Sequence, residues 1–124
     1  MVLVDTSVWI AHFKSADSRL QDLLQSDQVL AHEMVIGELM LGHIKQRDQV
    51  IVYLSDMPQA QLAQHDELLA FVSHHKLYEQ AIGWVDCNLL ASCKITPSAT
   101  LWTLDKRLAT MAQKLQIAHS FELH

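Results

Sequence analysis

The chain has 124 residues, of which 50% are hydrophobic and 19% charged, a composition that excludes a disordered protein and suits one core. The formal net charge of −5 argues against a protein that coats nucleic acid through a basic surface. The negative charge does not exclude a nuclease, because a nuclease that binds divalent cations carries acidic residues in its own site.

The sequence carries no mark of export or membrane insertion. Residues 1–10 include Asp5 and no basic segment, unlike a signal peptide, and no run of about 18 apolar residues occurs. Cys87 and Cys93 would face different sides of an apolar helix and could not form a disulfide, so we expect buried thiols. We therefore expect a cytoplasmic protein.

The first half of the chain begins with a short apolar run, Val2–Val4, which predicts a buried strand ending at Asp5. Ser7 is expected to cap the helix that follows. The next predicted elements are a helix over 18–25, a strand over 29–31, a helix over 33–43 that is buried on most sides, and a helix over 47–54.

The second half repeats this alternation of helices and short strands. Its predicted elements are helices over 64–75 and 82–93, a strand over 100–104, a helix over 106–115 and a candidate last strand over 117–121. Such alternation predicts an α/β sandwich with a short parallel sheet flanked by helices, in one domain over 1–124. Ligands of such folds bind beyond the carboxyl ends of the strands.

Four of the 14 acidic residues lie among apolar neighbours. Asp5 and Asp105 each end a predicted strand, Asp86 lies near the start of a helix, and Glu38 lies within one. The other acidic residues, Glu122 among them, lie in polar segments, at turns or at a helix start, and we expect them at the surface. An unpaired buried carboxylate costs several kcal/mol, so these four need a compensating partner.

The predicted topology allows these four carboxylates to converge at the carboxyl edge of the sheet. Grouped carboxylates repel one another, and a hard divalent cation relieves that repulsion. Oxygen-only ligands favour Mg²⁺ or Mn²⁺ over zinc. Taken singly, Asp5 is also explained as a turn former, Asp86 and Asp105 as helix caps, and Glu38 as an ion-pair partner. Their joint placement favours the metal site.

The segments around the four carboxylates resemble the PIN domain and, more narrowly, the VapC ribonuclease toxins of bacterial toxin–antitoxin pairs. They read VLVDTSVWI at 2–10, IGELMLG at 36–42, GWVDCNLLA at 83–91 and LWTLDKRL at 101–108. The resemblance implies a PIN-like three-layer sandwich that cleaves RNA with Mg²⁺ or Mn²⁺. It also implies that Ser7 and Thr103 support the metal site. Residues 44–80 match no motif, and we expect them to help set substrate choice.

For the mechanism we expect metal-assisted hydrolysis of a phosphodiester by one cation or a pair. Asp5 and Asp105 are expected as direct or water-mediated ligands and Asp86 as the ligand of a second metal. Glu38 is expected to orient or deprotonate the attacking water.

Cationic side chains outside the metal site are expected to contact RNA. Lys106 and Arg107 directly follow Asp105, although solvated residues on a helix face explain this pair equally well. Lys45, Arg47 and Lys94 are further candidates. The resemblance implies a homodimer and a small VapB-like antitoxin that inserts Arg or Lys near the carboxylates. A small sheet cannot easily cover all of the apolar residues, so some of them are candidates for an interface: Leu20, Leu23, Leu24, Ile51 and Tyr53.

Two other functions compete with a ribonuclease. A phosphatase of haloacid-dehalogenase type needs a second Asp two residues after the first, where this chain has Ser7. A catalytically silent PIN-like or receiver-like binding module would be favoured by the loss of one carboxylate, and all four are present. Trp9 and Trp102 are expected in the core. The eight histidines are expected mostly at the surface, because no Cys or His group has zinc-ligand spacing.

Overall fold

Three short parallel strands form the centre of the part of the chain, residues 1–121, that this computed structural model describes. Strand β1 (Val2–Val4) lies between β2 (Val29–Leu30) and β3 (Thr100–Trp102). Val2 stands opposite Val29 on one side and Thr100 on the other. Every strand residue except Thr100 is buried, as expected for a parallel sheet covered on both faces.

Seven α-helices surround the sheet within residues 1–121. They are α1 (Thr6–Lys14), α2 (Ser18–Gln25), α3 (Glu33–Leu41), α4 (Arg47–Ser55), α5 (His65–His74), α6 (Trp84–Ile95) and α7 (Lys106–Lys114). Helix α6 is the most deeply placed, because all residues from Cys87 to Cys93 are buried. The predicted α/β sandwich with a short parallel sheet flanked by helices is confirmed. A single domain over all 124 residues stays a prediction.

On its outer side, each edge of the sheet pairs with one more segment through a single β-bridge and not through a full strand. Ala31 pairs with Gln59, and Leu101 pairs with Ala118. Around the second bridge, Leu101 N donates to Ile117 O at 2.7 Å, and His119 N donates to Leu101 O at 2.9 Å. The candidate last strand over 117–121 is therefore a single bridge, and the strand predicted over 100–104 ends at Trp102.

Two local predictions were wrong, and one short element was missed. Asp5, and not Ser7, occupies the N-cap position of α1, which begins at Thr6. Helix α3 is not buried on most sides: Leu41 is 89% exposed, because only one face of the helix packs on the core. A short 3₁₀-helix over Leu77–Glu79 was not anticipated.

Most interface candidates turn out to pack within the chain. Leu20 is fully buried, whereas Leu23, Leu24 and Ile51 pack against the core as partly buried residues. Tyr53 is the one of the five that stays largely exposed, at 52%.

Predictions about special residue types were mostly confirmed. Cys87 and Cys93 are free and buried, and Trp9 and Trp102 lie in the core. The surface prediction for histidines fails at His32, which is 1% exposed. Within residues 1–121 no helix is long and apolar enough to cross a membrane. Glu122, expected at the surface, lies outside the described residues.

Candidate active site

Asp5 is a buried carboxylate at the junction of β1 and α1. Its backbone N–H donates to Trp102 O of β3 at 2.9 Å, which places it at the carboxyl edge of the sheet. Its Oδ2 accepts hydrogen bonds from Ser7 Oγ and Thr103 Oγ1, both at 2.7 Å. A buried carboxylate needs such donors. The two residues proposed as supporting hydroxyls therefore contact this side chain directly.

The same two hydroxyls also accept hydrogen bonds from the turn that follows β3. Leu104 N donates to Ser7 Oγ at 3.1 Å, and Asp105 N donates to Thr103 Oγ1 at 3.0 Å. Each hydroxyl thus joins the end of β1 to the segment that carries Asp105.

Asp105 lies exposed at the N-cap position of α7. Its Oδ1 accepts from the backbone N–H groups of Arg107 at 2.9 Å and Leu108 at 3.1 Å. A carboxylate at a helix N-terminus is favoured by the helix dipole. This capping fixes the orientation of the carboxylate and leaves its other oxygen, Oδ2, for a further ligand.

Glu38 lies exposed on α3 and is joined to the start of α1. Thr6 Oγ1 donates to Glu38 Oε1 at 2.7 Å, across 32 residues of sequence. No local sequence pattern marks this contact, since it depends on how α1 packs against α3.

Asp86 lies half-buried in the first turn of α6. Burial, and to a smaller extent the negative charges of Asp5, Asp105 and Glu38 in that order, raise the pKa of its carboxyl to about 6. Asp5, Asp105 and Glu38 therefore lie within electrostatic range of Asp86, and a common metal site of the four carboxylates stays a prediction. The expectation that all four are buried was wrong, because Glu38 and Asp105 are exposed. The carboxyl edge of the sheet opens to solvent.

The oxygen atoms of the four carboxylates are suitable ligands for a hard divalent cation. The four side chains do not, however, surround a single point where such a cation would lie. Across the described residues 1–121, no three His, Cys, Asp or Glu side chains stand close enough to hold a metal ion directly. Asp5, Glu38 and Asp105 are held instead by hydrogen bonds from hydroxyl or backbone N–H donors. Mg²⁺ commonly keeps several waters and uses only one or two carboxylates, so water-mediated ligation suits this arrangement.

The three candidate cationic residues occupy two different places. Lys106 and Arg107 lie exposed on the first turn of α7, beside Asp105, and border a cavity of about 230 Å³. Lys94 lies eight residues beyond Asp86, roughly 12 Å farther along the axis of α6. Its Nζ donates to Leu115 O at 3.2 Å, at the end of α7. Lys94 is therefore set apart from the four carboxylates.

His32 is a buried polar residue that sequence analysis missed. It occupies the N-cap position of α3, where its Nδ1 accepts from Met34 N at 3.0 Å. Its Nε2 lies 2.8 Å from Ser92 Oγ of α6 and donates to it, because Nδ1 is an acceptor. Burial lowers the pKa of His32 to about 4. The bond joins the helix that carries Glu38 to the one that carries Asp86.

Comparison with known proteins decides the family. The sequence pattern of the PIN domain matches residues 2–114, a span that includes all four carboxylates. The chain belongs to the PIN domain family. This PIN domain is 45% identical over 123 residues to "Ribonuclease VapC32" from two strains of Mycobacterium tuberculosis, CDC 1551 / Oshkosh and H37Rv. The alignment covers 99% of this PIN domain and 99% of each relative, so the predicted resemblance to VapC proteins is confirmed.

Proposed function

We propose that this PIN domain is an endoribonuclease that hydrolyses phosphodiester bonds of RNA with Mg²⁺ or Mn²⁺. The observation that carries the proposal is the PIN domain match over residues 2–114, which includes the four carboxylates, three of which raise the pKa of the fourth, Asp86, by charge repulsion. Such mutual repulsion is relieved when a divalent cation binds among the groups. The name of the relatives, ribonuclease, supports RNA as the substrate.

Asp5, Asp86 and Asp105 would hold the cation, directly or through water. A bound divalent cation supplies a more acidic water and neutralises charge on the phosphate. Ser7 and Thr103 hold the Asp5 carboxylate in place, and the capping bonds do the same for Asp105. Glu38, oriented by Thr6, would accept a proton from the attacking water. Lys106 and Arg107 would bind the RNA backbone beside Asp105.

The experiment that tests this function measures cleavage of a fluorescent single-stranded RNA by the purified chain. We expect cleavage with Mg²⁺ or Mn²⁺, none with EDTA, and a loss of at least about a hundredfold in Asp5→Asn. Asp22→Asn is the matched control, because Asp22 is exposed on α2 and makes no contact with the site. If the wild-type chain does not cleave the RNA in Mg²⁺ or Mn²⁺, the result would favour a catalytically silent binding module.

We further propose that the enzyme is the toxin of a VapBC-type pair, bound by a VapB-like antitoxin and forming a homodimer. The relatives' name supports the VapC assignment. Apolar side chains exposed on α3 and α4 support an interface, since contiguous exposed apolar surface marks binding sites. They are Met40 at 48%, Leu41 at 89%, Val52 at 61% and Tyr53 at 52%. Co-expression with the neighbouring open reading frame and co-purification would test the pairing.

A further inference from the structure

A small cavity opens between the N-terminal parts of α3, α5 and α6, two of which carry Glu38 and Asp86. Its volume is about 210 Å³, and its lining includes Glu33 of α3, His65 of α5, and Trp84 and Asn88 of α6. Sites that enclose drug-sized molecules are larger, at roughly 300–1,000 Å³. The cavity therefore suits one small planar group.

Trp84 presents an aromatic surface at the rim of this cavity. It is 42% exposed, whereas Trp9 and Trp102 are buried in the core. Its ring centroid lies 5.8 Å from that of His65, with the two planes tilted by 60°. Leaving a large aromatic ring in water is unfavourable, and a flat ligand stacked on it would remove that exposure.

The polar groups of the cavity include two acceptors. Asn88 is 6% exposed, and its Nδ2 donates to Trp84 O at 2.8 Å, which leaves its Oδ1 as an acceptor. Glu33 adds an exposed carboxylate at the same cavity. His65 can also donate, but a ligand that faces the acceptors of Asn88 and Glu33 must present donors to them. Guanine offers two adjacent donor groups, N1–H and N2–H₂, whereas the same edge of adenine, cytosine or uracil offers a donor at only one position.

We propose that this cavity binds one unpaired base of the RNA, with guanine preferred. The base stacks on Trp84, and its Watson–Crick edge faces Glu33 and Asn88. Proteins that read single-stranded RNA use this combination of stacking and edge recognition. The inference rests on the proposed ribonuclease function and adds a substrate preference to it.

The cavity and the acidic residues lie on two sides of one helical turn. Trp84 and Asn88 are one turn apart on the same face of α6, and Asp86 lies about 200° around the axis from Trp84. A base in the cavity is therefore separated from Asp86 by about the width of the helix, roughly 10 Å. The site would bind a nucleotide that is displaced along the strand from the cleaved phosphate.

The test is a fluorescence titration of the full chain in EDTA, so that no RNA is cut. The probes are four single-stranded tetraribonucleotides that differ only in one base. Trp84 is the exposed tryptophan, so binding should quench its emission, with about tenfold tighter binding for the guanine probe. Trp84→Ala should bind about tenfold more weakly, and Trp84→Phe should keep the affinity but lose the quenching.

Two further variants separate the role of each group. Glu33→Gln should lose the guanine preference while the other probes still bind. Tyr78→Ala is the control for a lost exposed aromatic and should bind like wild type, since Tyr78 is 67% exposed on the 3₁₀-helix over Leu77–Glu79 and does not line this cavity. A thermal melt of each variant checks that it is folded, and Trp84→Phe keeps the test decisive if Trp84→Ala does not fold.

Equal binding of all four probes, or unchanged affinity in Trp84→Ala, would overturn the base site. Quenching by a basic peptide but by none of the RNA probes would overturn it too. The titration needs no metal and no cleavage. If the chain cleaves RNA with metal but Trp84→Ala binds the probes like wild type, only the base site is wrong. If the chain prefers the guanine probe but does not cleave RNA, only the proposed nuclease activity is wrong.

Discussion

The hydroxyl of Thr103 donates a 2.7 Å hydrogen bond to the buried carboxylate of Asp5, across 98 residues of sequence. The bond joins the ends of two neighbouring strands, β1 and β3, where the turn toward Asp105 begins. It therefore serves two purposes: it compensates a buried charge, and it holds one of the four carboxylates beside another.

Thr103→Val should harm both stability and activity. The change removes one of the two hydroxyl donors to Asp5, and losing a bond to a buried charged group costs about 1–3 kcal/mol. We expect a lower denaturant midpoint and about tenfold slower RNA cleavage in Mg²⁺. Thr103→Ser should restore both, because it keeps the hydroxyl. A Val variant that matched wild type in both measurements would show that the bond contributes nothing.

Asp86→Asn should stabilise the metal-free fold at neutral pH while abolishing activity. The folded-state pKa of about 6 lies above the ordinary value of 3.8, so ionised Asp86 destabilises the fold above pH 6. Removing that charge should raise the free energy of unfolding at pH 7 by about 1–2 kcal/mol, after allowance for solvent screening. The gain should disappear below pH 4, where the wild-type carboxyl is protonated in both states. Urea denaturation at several pH values checks this, and a destabilised variant at pH 7 would contradict it.

The buried imidazole of His32 should make stability fall in mild acid. Its folded-state pKa of about 4 lies below the ordinary 6.5, so the unfolded chain binds the proton more readily between these values. The contribution is fully present above pH 6.5 and is lost as the pH falls toward 4, by about 3 kcal/mol in total.

His32→Asn isolates this contribution, since Asn can cap α3 but does not titrate. Comparing wild type with the variant at each pH cancels the effects of other groups, Asp86 included. We expect the stability advantage of wild type to shrink from pH 7 to pH 4. A difference that stays constant over this range would exclude His32 as the source.

Leu41→Ser should weaken self-association without unfolding the chain. Leu41 is 89% exposed on α3, so its loss should change the stability of the single chain by less than about 0.5 kcal/mol. Light scattering over a range of concentrations should show a shift toward the monomer. Ser55→Ala, an exposed change on α4, is the control. An unchanged mass for Leu41→Ser would remove this part of α3 from the interface.

The centre of the fold, and the placement of Asp5 and Asp105 at one edge of the sheet, could be predicted from sequence. Two apolar runs that each end at an Asp are typical of parallel strands, and parallel strands bring their carboxyl ends to one edge. Asp5 and Asp105 each follow one of these apolar runs, so the sequence alone predicts that they lie close together.

Side-chain exposure could not be predicted in the same way. Apolar neighbours of Glu38 point in other directions around the helix, so they do not bury it. The bonds from Thr6 to Glu38 and from His32 to Ser92 span 32 and 60 residues, and no local pattern marks them. Lys94 is near Asp86 in sequence, yet the rise of α6 separates them.

The most direct test of the account is calorimetric titration of Mn²⁺ into the metal-free chain near pH 6, in two buffers that differ in ionisation enthalpy. If the four carboxylates form one cation site, Mn²⁺ should bind and release protons, because Asp86 is about half protonated at that pH and must ionise. Asp5→Asn should bind far more weakly, and Asp22→Asn should bind like wild type. Equal Mn²⁺ affinity in Asp5→Asn, or binding without proton release, would contradict the account.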